Sequence, residues 1–325
     1  MTLLAAIAWW ALAKPADGLL FHGPGGMYSN LSCPFEWSKY SCVHMGGNFQ
    51  KQAELGAEYF GTHSGEIQDA FGSMPPPDSR TVMIGDSTLR QLFISIACLS
   101  SPFLAESRVD WAEDHWPCHG SDNCISHGVQ SGFNVGSLRY TNGHELHYLP
   151  HSGTLHLGEG AIFARMRREL AVFGGATLGP NTALRSQCGG RLSARDTVVA
   201  GVGIHDELVE STINDLSALG EAMRSLPDQP RLLLVASLTQ HFDTEDGTWR
   251  GPKASSACVP AEAQNPREVR EAARLQPGKN IDEVISWGDA GLGAHHIGNG
   301  DCSHYCMPGV PDTVAARLFR RLRGI

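Results

Sequence analysis

Short β-forming runs that alternate with stretches of helical spacing constrain this chain more than any other feature. The runs are Thr81-Val82-Met83-Ile84, "ELHYLPH" (145–151), "TVVAGVG" (197–203) and "RLLLVAS" (231–237). Leu89, Leu92, Phe93, Ile96 and Leu99 recur at helical spacing after the first. Helices are expected at 159–173, 207–225 and 266–275, and "DTVAARLFRRLR" (312–323) closes the pattern as an amphipathic helix. Such alternation is satisfied by a parallel sheet flanked by helices, so the expected class is α/β with a mainly parallel sheet. At 325 residues the chain can bury about three quarters of its unfolded surface, enough for one large domain or two small ones.

The first βα unit, "MIGDSTLRQLF" (83–93), carries a serine at its junction. Gly85 ends the apolar run, and Asp86 and Ser87 are natural N-cap residues. Ser87 therefore falls where a strand's carboxyl end meets a helix N-terminus. Open α/β sheets place ligands there, and the helix dipole favours developing negative charge. An ordinary capped turn would read the same locally.

Three bulk features narrow the function class. The formal net charge of −9 argues against a nucleic-acid partner, which needs clustered positive charge. Residues 2–13, "TLLAAIAWWALA", are apolar and uncharged, too short for a bilayer span of about 20 residues but of signal-peptide length. Residues 1–17 thus read as a signal peptide or truncated signal anchor, with a buried N-terminal helix as the plainer alternative, and Asn30 heads an N-glycosylation triplet. Nine cysteines include no Cys-x-x-Cys pair, so disulfides in an oxidising lumen are expected rather than a zinc ribbon. The odd count leaves at least one thiol, such as Cys188, unpaired or intermolecular. Residues 18–79 read as a loop-rich, cysteine-containing segment ending in the stiff connector Met74-Pro75-Pro76-Pro77-Asp78.

A serine nucleophile needs a base, and the base needs a third group to fix its tautomer. Among fifteen histidines, one segment stands out: "GNGDCSHYCMPGVPD" (298–312). Asp301 and His304 lie three apart, so on a tight turn the carboxylate reaches the imidazole. Cys302 and Cys306 bracket the histidine and would anchor its loop. A disulfide-tied surface turn is the plainer alternative. "HWPCHGSDNCISH" (115–127) fits no common zinc spacing, and a local Cys118–Cys124 bond is expected there, so no metal is assigned. "FHGPGGMYSN" (21–30) lacks the Lys-Ser/Thr ending of a phosphate loop, which excludes nucleotide binding there. His241, His295 and His296 are loop histidines that either line the cleft or bond locally. Trp249 and Trp287 either stack on sugar rings or are buried.

Gly85-Asp86-Ser87 with Arg90, followed by "DCSHYCMPGVPD", resembles the PC-esterase group, specifically the plant trichome-birefringence-like polysaccharide O-acetyltransferases. Tyr305 and Met307 stand where that family's run has Trp and Leu. "CPFEW…YSC" (33–42) resembles its N-terminal Cys-Pro-Phe segment, and "SLTQHFDTEDGTW" with Cys258 resembles its Ser-Pro-x-His-Phe region. "GDSTLRQLF" is also similar to the sialic-acid O-acetyltransferase branch. The resemblance covers residues 33–319 at intervals.

It implies an SGNH-hydrolase-like three-layer α/β/α fold, with residues 18–325 as one disulfide-stapled domain. It implies Ser87 as nucleophile, His304 as base and Asp301 as orienter, and by matched position the pairs Cys33–Cys98, Cys42–Cys306 and Cys258–Cys302. The family's Asn-Thr-Gly-His-Trp-Trp block is replaced here by "AGVGIHDE" (200–207). Gly201 or Gly203 is left as candidate oxyanion donor, and His205 or Asp206 as candidate substrate-facing side chain. Arg90 is expected to hold Asp86 or the catalytic loop through its planar fork. The expected activity is O-acetyl transfer from an acetyl-donor co-substrate, through an acetyl-serine, to a glycan hydroxyl. No tightly bound cofactor is implied, and the membrane enters only through an N-terminal anchor. A carbohydrate acetyl esterase with the same triad is the alternative, and a non-enzymatic glycan-binding protein on this fold the second. The setting implied is the secretory pathway, either the Golgi lumen or outside the cell.

Overall fold

A computed structural model describes residues 33–34, 42, 49–110, 135–150, 192–201, most of 220–247, 258–259, 281–287, 293–298 and 300–324. Seven strands form one sheet: β1 (Arg80–Gly85), β2 (Leu104–Asp110), β3 (Val135–Tyr140), β4 (Glu145–Pro150), β5 (Thr197–Gly201), β6 (Arg231–Val235) and β7 (Glu283–Ile285). Their spatial order is β2-β3-β4-β1-β5-β6-β7. β4, β1, β5, β6 and β7 are mutually parallel, while β2 and β3 run antiparallel at one edge. The parallel strands alone stand in the order second, first, third, fourth, fifth along the chain. That order reverses direction between β1 and β5, and open parallel sheets place ligands outside the carboxyl ends of the strands at such a reversal.

The central strands are buried on both faces, which is why they read as unbroken apolar runs rather than alternating ones. Val82, Met83, Val198, Val199, Ala200, Leu233 and Leu234 have no solvent exposure. β3 instead alternates, with Leu138 and Tyr140 buried and Arg139 exposed between them. Four α-helices are described over their full length: α1 (Gln50–Thr62), α2 (Ser64–Ala70), α3 (Ser87–Leu99) and α4 (Val310–Leu322). α3 lies on β1 and β4, and α4 packs against α1, α2 and α3. Buried Asp312 joins the two largest pieces: it accepts the Gly309 N–H at 2.7 Å, capping α4, and the hydroxyl of Ser95 on α3.

α1 and α2 correct the expectation of a loop-rich segment over 18–79. Their buried positions are few and weakly apolar (Ala53, Gly56, Phe60, Ile67 and Ala70), so no apolar stripe announced them. Packing against α4 stabilises them in place of an intrinsic pattern. Of the helix expected at 207–225, residues 220, 221, 223 and 224 are helical. The helices expected at 159–173 and 266–275 lie outside the described residues, as do the apolar run 2–13, Asn30, Cys118, Cys124 and Cys188. Among the described residues no helix is long and apolar enough to cross a membrane.

Among the described residues three disulfides join distant parts of the chain: Cys33–Cys98, Cys42–Cys306 and Cys258–Cys302, with sequence separations of 65, 264 and 44 residues. The first fastens the last turn of α3, and the other two fasten a short ribbon described next.

Candidate active site

Gly85 closes β1 because nothing larger fits. A Cβ there would lie 2.8 Å from Leu89 Cδ2 and 3.3 Å from the Cα of Gly201 at the end of β5. The chain then turns into α3 through Asp86, whose Oδ1 accepts the Thr88 N–H at 2.9 Å and the Thr88 hydroxyl at 2.7 Å. An N-cap aspartate satisfies a backbone donor that the helix leaves without a partner. Tyr148 on β4 braces the same elbow, its hydroxyl shared between the carbonyls of Gly85 at 3.0 Å and Asp86 at 2.9 Å. Ser87 is thereby the first residue of α3, half-buried at the carboxyl end of β1 beside the reversal point.

His304 comes from a separate two-stranded ribbon, β8 (His296–Gly298) and β9 (Asp301–Tyr305), paired antiparallel. Gly298 and Gly300 take the positive φ values of 81° and 91° that reverse the chain. Asp301 and His304 lie on a strand rather than on the tight turn expected for them. An irregularity in the β8–β9 pairing still lets the Asp301 carboxylate fold back along its own strand. It accepts the backbone N–H groups of Ser303 at 3.2 Å and His304 at 2.9 Å. The same carboxylate meets His304 Nδ1 at 2.9 and 3.1 Å. A carboxylate only accepts, so the His304 proton sits on Nδ1 and Nε2 carries the lone pair. That lone pair faces Ser87 Oγ at 2.8 Å, and the serine hydroxyl donates to it.

Electrostatics follow from these contacts. Burial works to raise the Asp301 pKa, but the facing His304 charge and the hydrogen bonds from His304 and Ser303 outweigh it and hold the carboxyl down at about 2. Asp301 is therefore ionised at neutral pH and stabilises positive charge on His304. The arrangement can take a proton from Ser87, hold it, and return it to a leaving group.

The remaining candidates fall in several places. Asp86 is the helix cap. Arg90 is half-buried one turn past Ser87, and its backbone N–H donates to the Asp86 carbonyl at 3.0 Å. Gly201 sits beside Gly85, whereas Gly203, His205 and Asp206 lie outside the described residues. Trp287 is buried at 2 % exposure and stacks on Tyr305 with ring centroids 5.9 Å apart, so it offers no face to a sugar. His241 and His296 are buried behind the base and bonded to each other at 2.6 Å. Tyr148 and Gln91 were not singled out by sequence. A buried tyrosine in an apolar strand, which needs a partner for its hydroxyl, is the signal that could have found the first.

Among the described residues no group of three or more histidine, cysteine, aspartate or glutamate side chains is placed to hold a metal ion. No protein-family model matches this chain, and no curated protein matches its sequence.

Proposed function

We propose that this chain is a Ser-His-Asp acyltransferase of the PC-esterase kind, which moves an acetyl group through Ser87 to a glycan hydroxyl. The observation that carries the reading is the unbroken line from Asp301 through His304 to Ser87, with contacts of 2.9 and 2.8 Å. The order of the parallel strands and the three disulfides support an SGNH-like fold with residues 18–325 as one domain. Disulfides also fit a lumenal or secreted setting, in keeping with residues 1–17 as a leader or anchor.

In this reading Ser87 Oγ adds to the acetyl carbonyl while its proton passes to His304 Nε2. His304 then protonates the donor's leaving group as the C–O or C–S bond to it breaks, leaving acetyl-Ser87. A glycan hydroxyl adds to the acetyl-enzyme, giving its proton to His304, and collapse returns that proton to Ser87 Oγ. Asp301 keeps the tautomer and stabilises the imidazolium in both halves. With water as acceptor the same steps constitute an esterase.

Intact-mass spectrometry of the protein with an acetyl donor, with and without candidate glycans, tests the reading. An acetyl adduct on Ser87 that a glycan discharges, with acetylated glycan formed, is the expected result. Discharge by water alone makes the protein an esterase. An adduct that persists in Ser87→Ala, or none with any donor, overturns the assignment.

A further inference from the structure

Two backbone carbonyls lie at the base on β9, that of His304 and that of Tyr305, and each is held by a buried side chain from another element. Gln91 comes from α3, one turn beyond Ser87 on the same face of the helix. It has no solvent exposure, and its Nε2 donates to the Tyr305 carbonyl at 2.6 Å. His296 comes from β8 and places Nδ1 3.1 Å from the His304 carbonyl.

The hydrogen positions follow by elimination. A carbonyl only accepts, so the amide nitrogen of Gln91 faces Tyr305 and the neutral His296 ring carries its proton on Nδ1. His296 Nε2 is then an acceptor. His241 Nδ1, 2.6 Å away, must donate to it. Burial first, and the neighbouring His241 charge second, push His296 down to about 3, and burial pushes His241 down to about 4, so both rings stay neutral.

Stability does not explain Gln91 or His241. Gln91 Oε1 and His241 Nε2 are buried without a hydrogen-bond partner among the described residues. An orphaned buried polar atom costs free energy that an apolar side chain of the same shape would avoid. Gln91 shares its face of α3 with Ser87, Ile94 and Ser95, whereas Leu89, Leu92 and Phe93 lie towards the opposite side. What these polar side chains do supply is placement. Among the described residues the ribbon is not hydrogen-bonded into the main sheet, and Gln91 is a direct link between the helix that starts with Ser87 and the strand that carries His304.

We propose that Gln91 and His296 are positioning residues: a two-sided clamp on the His304 backbone that holds Nε2 at Ser87 Oγ, with His241 fixing the His296 tautomer. The clamp rests on Ser87 being the nucleophile. A misplacement of 1 Å at such a site costs about 100-fold in rate, so a lost grip should be visible kinetically.

The test uses labelling of Ser87 by a fluorophosphonate probe, read as a maximal rate and a half-saturating concentration. Parent protein that fails to label, or a Ser87→Ala variant that labels equally, overturns the nucleophile reading and the clamp with it. Given parent labelling, Gln91→Met keeps the volume and loses the donor. His296→Phe keeps the ring that stacks on Tyr305 at 4.1 Å and also loses the donor. His296→Asn loses the ring but keeps an amide N–H near the place of Nδ1. The clamp requires Gln91→Met and His296→Phe to lower the maximal rate about 10- to 100-fold with the half-saturating concentration within about twofold. It also requires His296→Asn to outperform His296→Phe. A purely packing role reverses that ranking, and reversal or parental rates in the Met and Phe variants overturn the clamp. If either variant lacks a cooperative melt, Gln91→Asn, whose amide falls one methylene short of Tyr305, takes its place with the same loss required.

Discussion

Ser87 opens the helix that follows a six-residue strand flanked on both sides in a seven-stranded sheet, whereas His304 rides on a five-residue strand whose paired strand has three. The first seat is built from the interior: Gly85 against Gly201, Leu89 over both, and Tyr148 on the elbow carbonyls. An isolated two-stranded ribbon is marginal in water, so the second seat needs other supports. Cys42–Cys306 and Cys258–Cys302 fasten it on either side of His304. The contrast teaches that one half of the pair is secured by burial and the other by cross-links and buried polar grips. Chemistry that spares the core should therefore disable the base before the nucleophile.

Four experiments bear on that contrast, in descending order of expected effect. Asp301→Asn leaves both seats intact but removes the anion that fixes the Nδ1–H tautomer. Ser87 acylation should fall by about 10⁴-fold while the melt stays cooperative, at a lower temperature because the ionised carboxylate favours the fold. A loss under tenfold would mean that the ribbon backbone alone orients His304.

Cys42→Ser with Cys306→Ser removes the covalent tie next to the base. Acylation should fall about 100-fold while the melt remains cooperative, since the sheet does not depend on that bond. Parental acylation in the folded variant would show that the ribbon holds itself.

Acid should act on the same asymmetry. His241 and His296 in the ribbon region are depressed to about 4 and 3, and His144 in the β3–β4 connection, bonded to Ser79, to about 4, with burial as the leading cause. Below the ordinary histidine value the unfolded chain takes up protons that the folded chain refuses. Stability therefore falls as pH drops from about 6.5 to about 4, by up to roughly 1.4 kcal/mol per pH unit for each histidine. Two of the three lie at the ribbon, so hydrogen exchange at Cys302–Tyr305 should accelerate at a higher pH than exchange at Val82–Ile84. Simultaneous loss of protection would show that the two seats open as one unit. The depressed Asp301 carboxyl adds a further loss only lower, from about 4 down to about 2.

Asp86→Ala should have the smallest effect. Losing the cap costs about 1 kcal/mol, read by urea denaturation. Tyr148 and the glycine pair still hold the elbow, so acylation should change less than tenfold. A larger fall would place Asp86 in the chemistry rather than in the helix.

The same asymmetry decided what the sequence disclosed. Ser87's position was legible locally, because a buried strand, a space-limited glycine and an N-cap leave their marks within a few residues. β1, β4, β5, β6 and α4 were readable for the same reason. β2 and β3 were not, since "LAESRVD" and "VGSLRY" have too few apolar residues to signal an edge pair. α1 and α2 were hidden by their sparse apolar face. Asp301 and His304 were noticed as an i, i+3 pair, but nothing local says that they meet Ser87, 217 residues away from His304. The grips of Gln91 and His296 end on backbone carbonyls, which have no residue type to read. The Cys33–Cys98, Cys42–Cys306 and Cys258–Cys302 pairs came only from resemblance in matched positions.

The Cys42–Cys306 bond closes a single covalent loop between residues 264 positions apart. A loop cannot be parted by one cut. Proteolytic nicking at any one peptide bond between those cysteines leaves a single molecule of unchanged mobility in a non-reducing gel, and two fragments appear only after thiol is added. The protein should thus retain His304 next to Ser87 after a single internal cleavage, provided the cut spares both seats. Reduction would convert that silent nick into dissociation.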